Sequence, residues 1–188
     1  MDRGLISTRY ARSLLDYAVK AGQQEEVYQS MKILSEVYWE VPKLRETLSN
    51  SSISQEDRKK ILYAASGGNI PPSLQKMADL IFLNEREDLI QYFSLRYIEL
   101  YRERFEIVHG KFVTAMPLDL EENKGLKSRI KDLVGENIEL DPVVDPDIIG
   151  GFILQLGDYR WDASISGELT RIKSQFKKIE AIDALANK

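Results

Sequence analysis

Along the first hundred residues, apolar positions recur in steps of three and four. Ile6, Tyr10, Leu14, Tyr17 and Ala18 fall on one face of a helix, and Gly22 follows where a left-handed residue closes such a helix. Val27, Met31, Leu34 and Tyr38 set out a second helix that Pro42 stops, and Leu44 and Leu48 mark a short third. Ser54 and Asp57 resemble a capping box opening a fourth, which carries Ile61, Leu62 and Ala65 up to Gly67-Gly68. Pro71-Pro72 suits the start of a fifth, because proline at the first helical position gives up an N–H that has no helical partner anyway. Its apolar row is Leu74, Met77, Leu80 and Ile81. A sixth extends from about Arg86 towards Phe105 through Ile90, Phe93, Tyr97, Leu100 and Tyr101, a stripe of roughly 30 Å at 1.5 Å per residue. Six amphipathic helices with short connections predict a bundle over residues 1–105.

The pattern changes at Glu106. Ile107, Val108, Phe112 and Val113 are β-prone around Gly110, and helical spacing returns from Leu118 to Leu133 through Leu126 and Ile130, ending at Gly135. Ile138 and Leu140, Val143-Val144, then Ile149 to Leu156 and Tyr159 to Ala163 read as short strands. Asp141-Pro142, Asp145-Pro146 and Gly157-Asp158 serve as breaks, the last as a hairpin turn. Ile165, Leu169, Ile172 and Phe176 then share one face of a final helix, with fraying expected from Ala181 to Lys188. The fold class that follows is mainly α: an N-terminal six-helix bundle, then a small α/β domain over 106–188.

Composition narrows the chemistry. The 188 residues include no Cys and a single His, His109, which removes disulfides, thiol chemistry and most zinc designs. With 26 Lys and Arg against 30 Asp and Glu the net charge is −4, and the excess acid lies wholly after Phe105. Neither half has the basic surplus that nucleic-acid binding requires. No run approaches the roughly 18 to 20 apolar residues of a membrane-spanning helix, and the N-terminus carries no signal-peptide pattern, so neither membrane insertion nor export is expected.

Few residues invite catalytic roles. Gly150-Gly151 could cradle a phosphate, but the further glycines and the Lys-Ser/Thr step of a phosphate loop are missing, and a bulge or close backbone approach is the simpler account. Asp141, Asp145, Asp147, Asp158 and Asp162 could hold a metal or form an acid/base pair, yet calcium-loop spacing is absent and aspartate is common in turns. Asn50-Ser51-Ser52 matches a glycosylation acceptor, which has meaning only in a secreted chain. The surplus of aromatic residues in the bundle is more suggestive. Helices apolar on more than one face can leave a groove for a partner's amphipathic helix.

Two stretches carry a resemblance. Ser7-Thr8-Arg9-Tyr10-Ala11-Arg12-Ser13-Leu14-Leu15-Asp16-Tyr17-Ala18 resembles the opening of the delta-subunit family of bacterial F-type ATP synthases, the counterpart of the mitochondrial oligomycin sensitivity-conferring protein. Asp147 to Asp158, an apolar run broken by Gly150-Gly151, followed by Asp162-Ala163-Ser164 and Gly167-Glu168-Leu169, resembles that family's C-terminal signature. Gln155 stands where the family commonly has Arg or Lys.

The resemblance implies a non-catalytic stator without cofactor or metal, linking the catalytic head to the b-subunit stalk and resisting rotor torque. It implies attachment to the proton-translocating complex at the cytoplasmic face of the bacterial inner membrane. The bundle would receive the N-terminal helix of an alpha subunit between its first and fifth helices. Carried over by position, the groove residues are Tyr10, Ser13, Leu14 and Tyr17 with Lys76, Leu80 and Leu83, of which Leu14 suits the core equally well. The C-terminal domain would hold the end of the b subunit, with Gly150, Gly151, Asp162, Ser164 and Gly167 shaping that domain. Rival readings are a generic helical adaptor unrelated to ATP synthase and a carboxylate-dependent hydrolase in the second domain.

Overall fold

The computed structural model describes residues 3–117, 125 and 137–186, and side chains of the last helix as far as Phe176. Apart from Gly125, the helical stretch expected from Leu118 to Leu133 lies outside these residues. The chain divides into two compact units, Met1–Arg104 and Phe105–Lys188.

The first unit is all helical: α1 (Arg3–Ala21), α2 (Gln24–Glu40), α3 (Lys43–Ser49), α4 (Gln55–Ala65), α5 (Pro72–Leu83) and α6 (Ile90–Arg104). Helix α1 packs against α6 and α5, and α2 against α6. The centre is dry. Ala11, Leu14 and Ala18 from α1, Val27, Met31 and Leu34 from α2, and Ile90 and Tyr97 from α6 are each at most 1% exposed. Burial pushes the Tyr97 phenol far above the ordinary tyrosine range, and the ring of Tyr101 stacks on Tyr28 with centroids 4.1 Å apart.

Local sequence accounts for the helix ends. Gly22, at φ +67°, closes α1 in a Schellman motif: its N–H reaches Val19 O at 3.2 Å and the Gln23 N–H reaches Ala18 O at 2.9 Å. Ser54 caps α4 by accepting the Asp57 N–H at 3.2 Å, while its hydroxyl donates to the Asp57 carboxylate at 2.7 Å. The Asp57 side chain thus meets the Ser54 hydroxyl, where the Glu of a full capping box returns to the capping residue's backbone N–H. The sixth helix begins later than its apolar row suggests. Glu87–Leu89 form a 3-10 turn, and α-helical geometry starts at Ile90.

The second unit is a four-stranded sheet in the order β2-β1-β3-β4, with β1 (Val108–Thr114), β2 (Ile138–Val144), β3 (Gly151–Leu156) and β4 (Tyr159–Ser164). Strand β1 runs parallel to β2 and antiparallel to β3, and β3 and β4 form a hairpin about Gly157-Asp158, with Leu156 opposite Tyr159. Phe112 and Leu154 are the buried centre of one face, flanked by Ile138, Leu140, Phe152 and Leu156. Helix α7 (Ile165–Ala186) packs on β4 and on the 3-10 turn Pro146–Ile148, and it continues past Ala181, where fraying was expected.

Two strand boundaries differ from the sequence reading. Asp141-Pro142 does not break the chain but lies inside β2, with Pro142 opposite Phe112; β2 is an edge strand, the place in a sheet where a missing N–H is tolerated. The third strand starts at Gly151 rather than Ile149, because Pro146–Ile148 turn first and Ile149 takes φ +68°.

Candidate functional site

Helix α1 presents two adjacent stripes. Ser7, Ala11, Leu14, Leu15 and Ala18 face the core, and the alanines leave room for close packing. The neighbouring stripe, Leu5, Ile6, Arg9, Tyr10 and Ser13, lines an open groove of about 580 Å³ whose other wall is Met77 and Leu80 of α5, with Arg86 just beyond that helix.

Two tyrosine–cation pairs tie α1 to α5 and the segment after it, the first of them within the groove lining. Arg86 Nη1 donates to Tyr10 Oη at 2.7 Å, and its guanidinium lies 5.6 Å from the centre of that ring. Lys76 Nζ donates to Tyr17 Oη at 2.9 Å, with the ammonium 5.4 Å from the ring centre. The hydrogen bond to Tyr17 raises the Lys76 pKa above the ordinary lysine range. Tyr10 and Tyr17 are seven residues apart, about 10 Å along a helix. A cation over a tyrosine face is attracted by the ring quadrupole as well as by the hydroxyl.

The expected groove residues therefore separate. Tyr10, Ser13 and Leu80 line the groove, while Tyr17 and Lys76 lie outside its lining and form a second cross-link between α1 and α5. Ser13 turns its hydroxyl back to Arg9 O at 2.8 Å, so it contributes wall rather than a free donor. Leu80 and Leu83 are 44% and 77% exposed, with Leu83 outside the lining. Leu14 belongs to the core at 1% exposure and cannot meet an occupant. Leu5, Ile6, Arg9, Met77 and Arg86 escaped selection. The first three could have been found, since 5, 6, 9, 10 and 13 follow helical spacing; Arg86 could not, lying past the end of α5.

The C-terminal signature residues build a strand-to-helix junction. Ser164, 4% exposed, is the N-cap of α7: its hydroxyl accepts the Gly167 N–H at 3.0 Å and donates to Asp162 Oδ1 at 2.5 Å. Asp162 also accepts the Ser164 N–H at 3.0 Å and an N–H of Arg160 at 3.2 Å, and the Ser164 hydroxyl chiefly holds its carboxyl below the usual aspartate range. A Cβ at Gly167 would press on that carboxylate, and one at Gly151, where φ is +74°, would run into the Ala163 carbonyl. Gly150 O accepts the Ile165 N–H at 3.0 Å. Two of the other aspartates are also engaged: Asp141 bonds His109 at 2.8 Å, and Asp145 accepts the Asp147 N–H at 3.0 Å. Beyond the junction, Ile165, Leu169, Ile172 and Phe176 are 48%, 44%, 39% and 62% exposed, an apolar stripe along α7.

Residues 6–176 match the family model described as ATP synthase delta (OSCP) subunit. The chain belongs to that family. It is 38% identical to ATP synthase subunit delta of Bacteroides thetaiotaomicron, over 94% of this chain and 96% of the relative, and 34% identical to that of Phocaeicola vulgatus, over 92% and 94%. A chain in the cryo-EM structure of the Toxoplasma gondii mitochondrial ATP synthase hexamer shares the fold with a TM-score of 0.56 at 18% identity, covering 90% of this chain and 96% of that one. Membership in the delta (OSCP) family makes this a subunit of the ATP synthase complex with a stator role, and the reading as an unrelated adaptor falls. No helix among the described residues is long and apolar enough to cross a membrane.

Proposed function

We propose that the chain is a non-catalytic tether in which the α1/α5 groove receives the N-terminal helix of an alpha subunit and the C-terminal unit receives the end of the b subunit. The observation that carries this is the groove itself, open between two helices and with apolar side chains on both walls, Leu5 and Ile6 facing Met77 and Leu80. An amphipathic helix fits such a site by laying its apolar row between the walls. The exposed stripe of α7 offers the C-terminal unit a comparable helix-binding face. Attachment at two places suits a part that must resist torque, because binding at one raises the effective concentration at the other. The complex so assembled lies at the cytoplasmic face of the bacterial inner membrane, and the chain contributes holding rather than turnover.

The test is calorimetric titration of the full chain with a peptide of about 25 residues from the N-terminus of the same organism's alpha subunit. Saturable one-to-one binding is expected, weakened by Tyr10→Ala and abolished by Leu80→Asp in variants that keep their helical circular dichroism. Absence of binding, or binding indifferent to Leu80→Asp, removes the groove from this role.

A further inference from the structure

We propose that the α1/α5 groove selects an acidic amphipathic helix: the occupant sets its apolar row against Ile6, Met77 and Leu80 and turns carboxylates towards Arg9 and Arg86. The inference rests on the helix-in-groove reading and adds the charge of the partner.

In a chain of net charge −4, the charged residues lining this groove are both arginines. The Arg9 guanidinium has no hydrogen-bond or ion-pair partner among the described residues. Arg86 is held by the neutral Tyr10 and Lys76 by the neutral Tyr17. The carboxylates of the same two helices are engaged elsewhere, Asp16 with Arg104 at 2.6 Å and Asp79 with Lys59 at 2.6 Å. Glu85, the acid next to Arg86 in the chain, lies outside the lining.

This arrangement suits selection. The phenol of Tyr10 fixes the Arg86 fork before any partner arrives, so less side-chain freedom is lost on binding. Guanidinium groups match carboxylates in a planar, two-bond geometry. Charges at the rim of an apolar groove add modestly to affinity and strongly disfavour a partner of the same sign.

The experiment titrates the full chain with three designed helical peptides of one apolar pattern, flanked by Glu, Gln or Lys, alongside the alpha-subunit peptide. The Glu peptide is expected to bind about tenfold tighter than the Gln peptide, and the Lys peptide to bind weakest. Added salt narrows the difference. Arg9→Gln, at an exposed position with no partner among the described residues, is expected to weaken the Glu peptide about threefold more than the Gln peptide. Equal affinity for the Glu and Gln peptides overturns charge selection, even where the alpha-subunit peptide binds. Binding of the Glu peptide with none of the alpha-subunit peptide supports charge selection and removes the alpha-subunit reading. Failure of every peptide overturns both.

Discussion

Arg58 of α4 and Glu87 of the 3-10 turn before α6 meet at 2.8 Å with side chains only 14% and 9% exposed. The same guanidinium donates to Leu48 O near the end of α3 at 3.1 Å and lies 5.4 Å from the centre of the Phe82 ring on α5. One side chain thereby ties four elements together. Removing a single member of a buried pair strands the other charge, so Glu87→Ala should cost about 3 kcal/mol. The double variant Arg58→Met, Glu87→Leu should cost less than Glu87→Ala alone, because it leaves no uncompensated charge. Urea midpoints followed by helical circular dichroism decide it, and additive losses would mean the pair is not coupled.

The Leu14 and Tyr17 side chains, one turn apart on α1, should part company in experiment. Leu14→Ala opens a cavity in the core and should cost about 3 kcal/mol of stability. Tyr17→Ala, at a site 44% exposed, should cost under about 1 kcal/mol, while weakening the alpha-subunit peptide. Stability and titration measured on the same two variants check this; a Tyr17→Ala protein that binds normally would confine the second cross-link to a packing role.

Adjacent glycines should also differ. Gly151→Ala forces a side chain into φ +74° and against the Ala163 backbone, and should cost about 2 kcal/mol or more. Gly150→Ala meets only the end of the Ile165 side chain, 2.8 Å away, which can turn aside. Thermal unfolding of the two variants should show a clear shift for the first and a small one for the second. Similar shifts would mean the Ala163 contact relaxes.

The Asp162–Ser164 bond sets a pH dependence. The carboxyl titrates below its ordinary value of 3.8 in the folded chain, so the folded state binds the proton less readily than the unfolded one. Its stabilising contribution is present above the unfolded pKa and is lost as pH falls through the folded one. The stability difference between the parent chain and Asp162→Asn should therefore be constant near neutrality and shrink as pH drops below about 4. A difference that stays level throughout the acid limb would detach Asp162 from the cap.

Which features were legible follows from the kind of signal each leaves. The six helices of the bundle announce themselves because steps of three and four coincide with strong stops: Gly22, Pro42, Gly67-Gly68 and Pro71-Pro72. Helical rotation was less legible. Tyr10 and Leu14 share one apolar row in sequence, yet one stands in the groove and the other in the core, because a step of four advances slightly more than a full turn and Ala11 and Ala18 draw the packed stripe towards themselves. Pro142 looked like a break, since the tolerance of a proline depends on whether its strand is an edge, and strand order is a long-range property. Arg86 meets Tyr10 across 76 positions, a pairing that no local spacing encodes.

Pro142 has a consequence for solubility. An edge strand with every amide proton in place is a template on which a foreign strand can grow, and repetition of that event is how sheets polymerise into fibrils. A proline inside β2 deletes a rung of the template and blunts strand-by-strand growth at that margin. The residue that made the sequence look like a turn is thus a guard against self-association at one margin of the sheet.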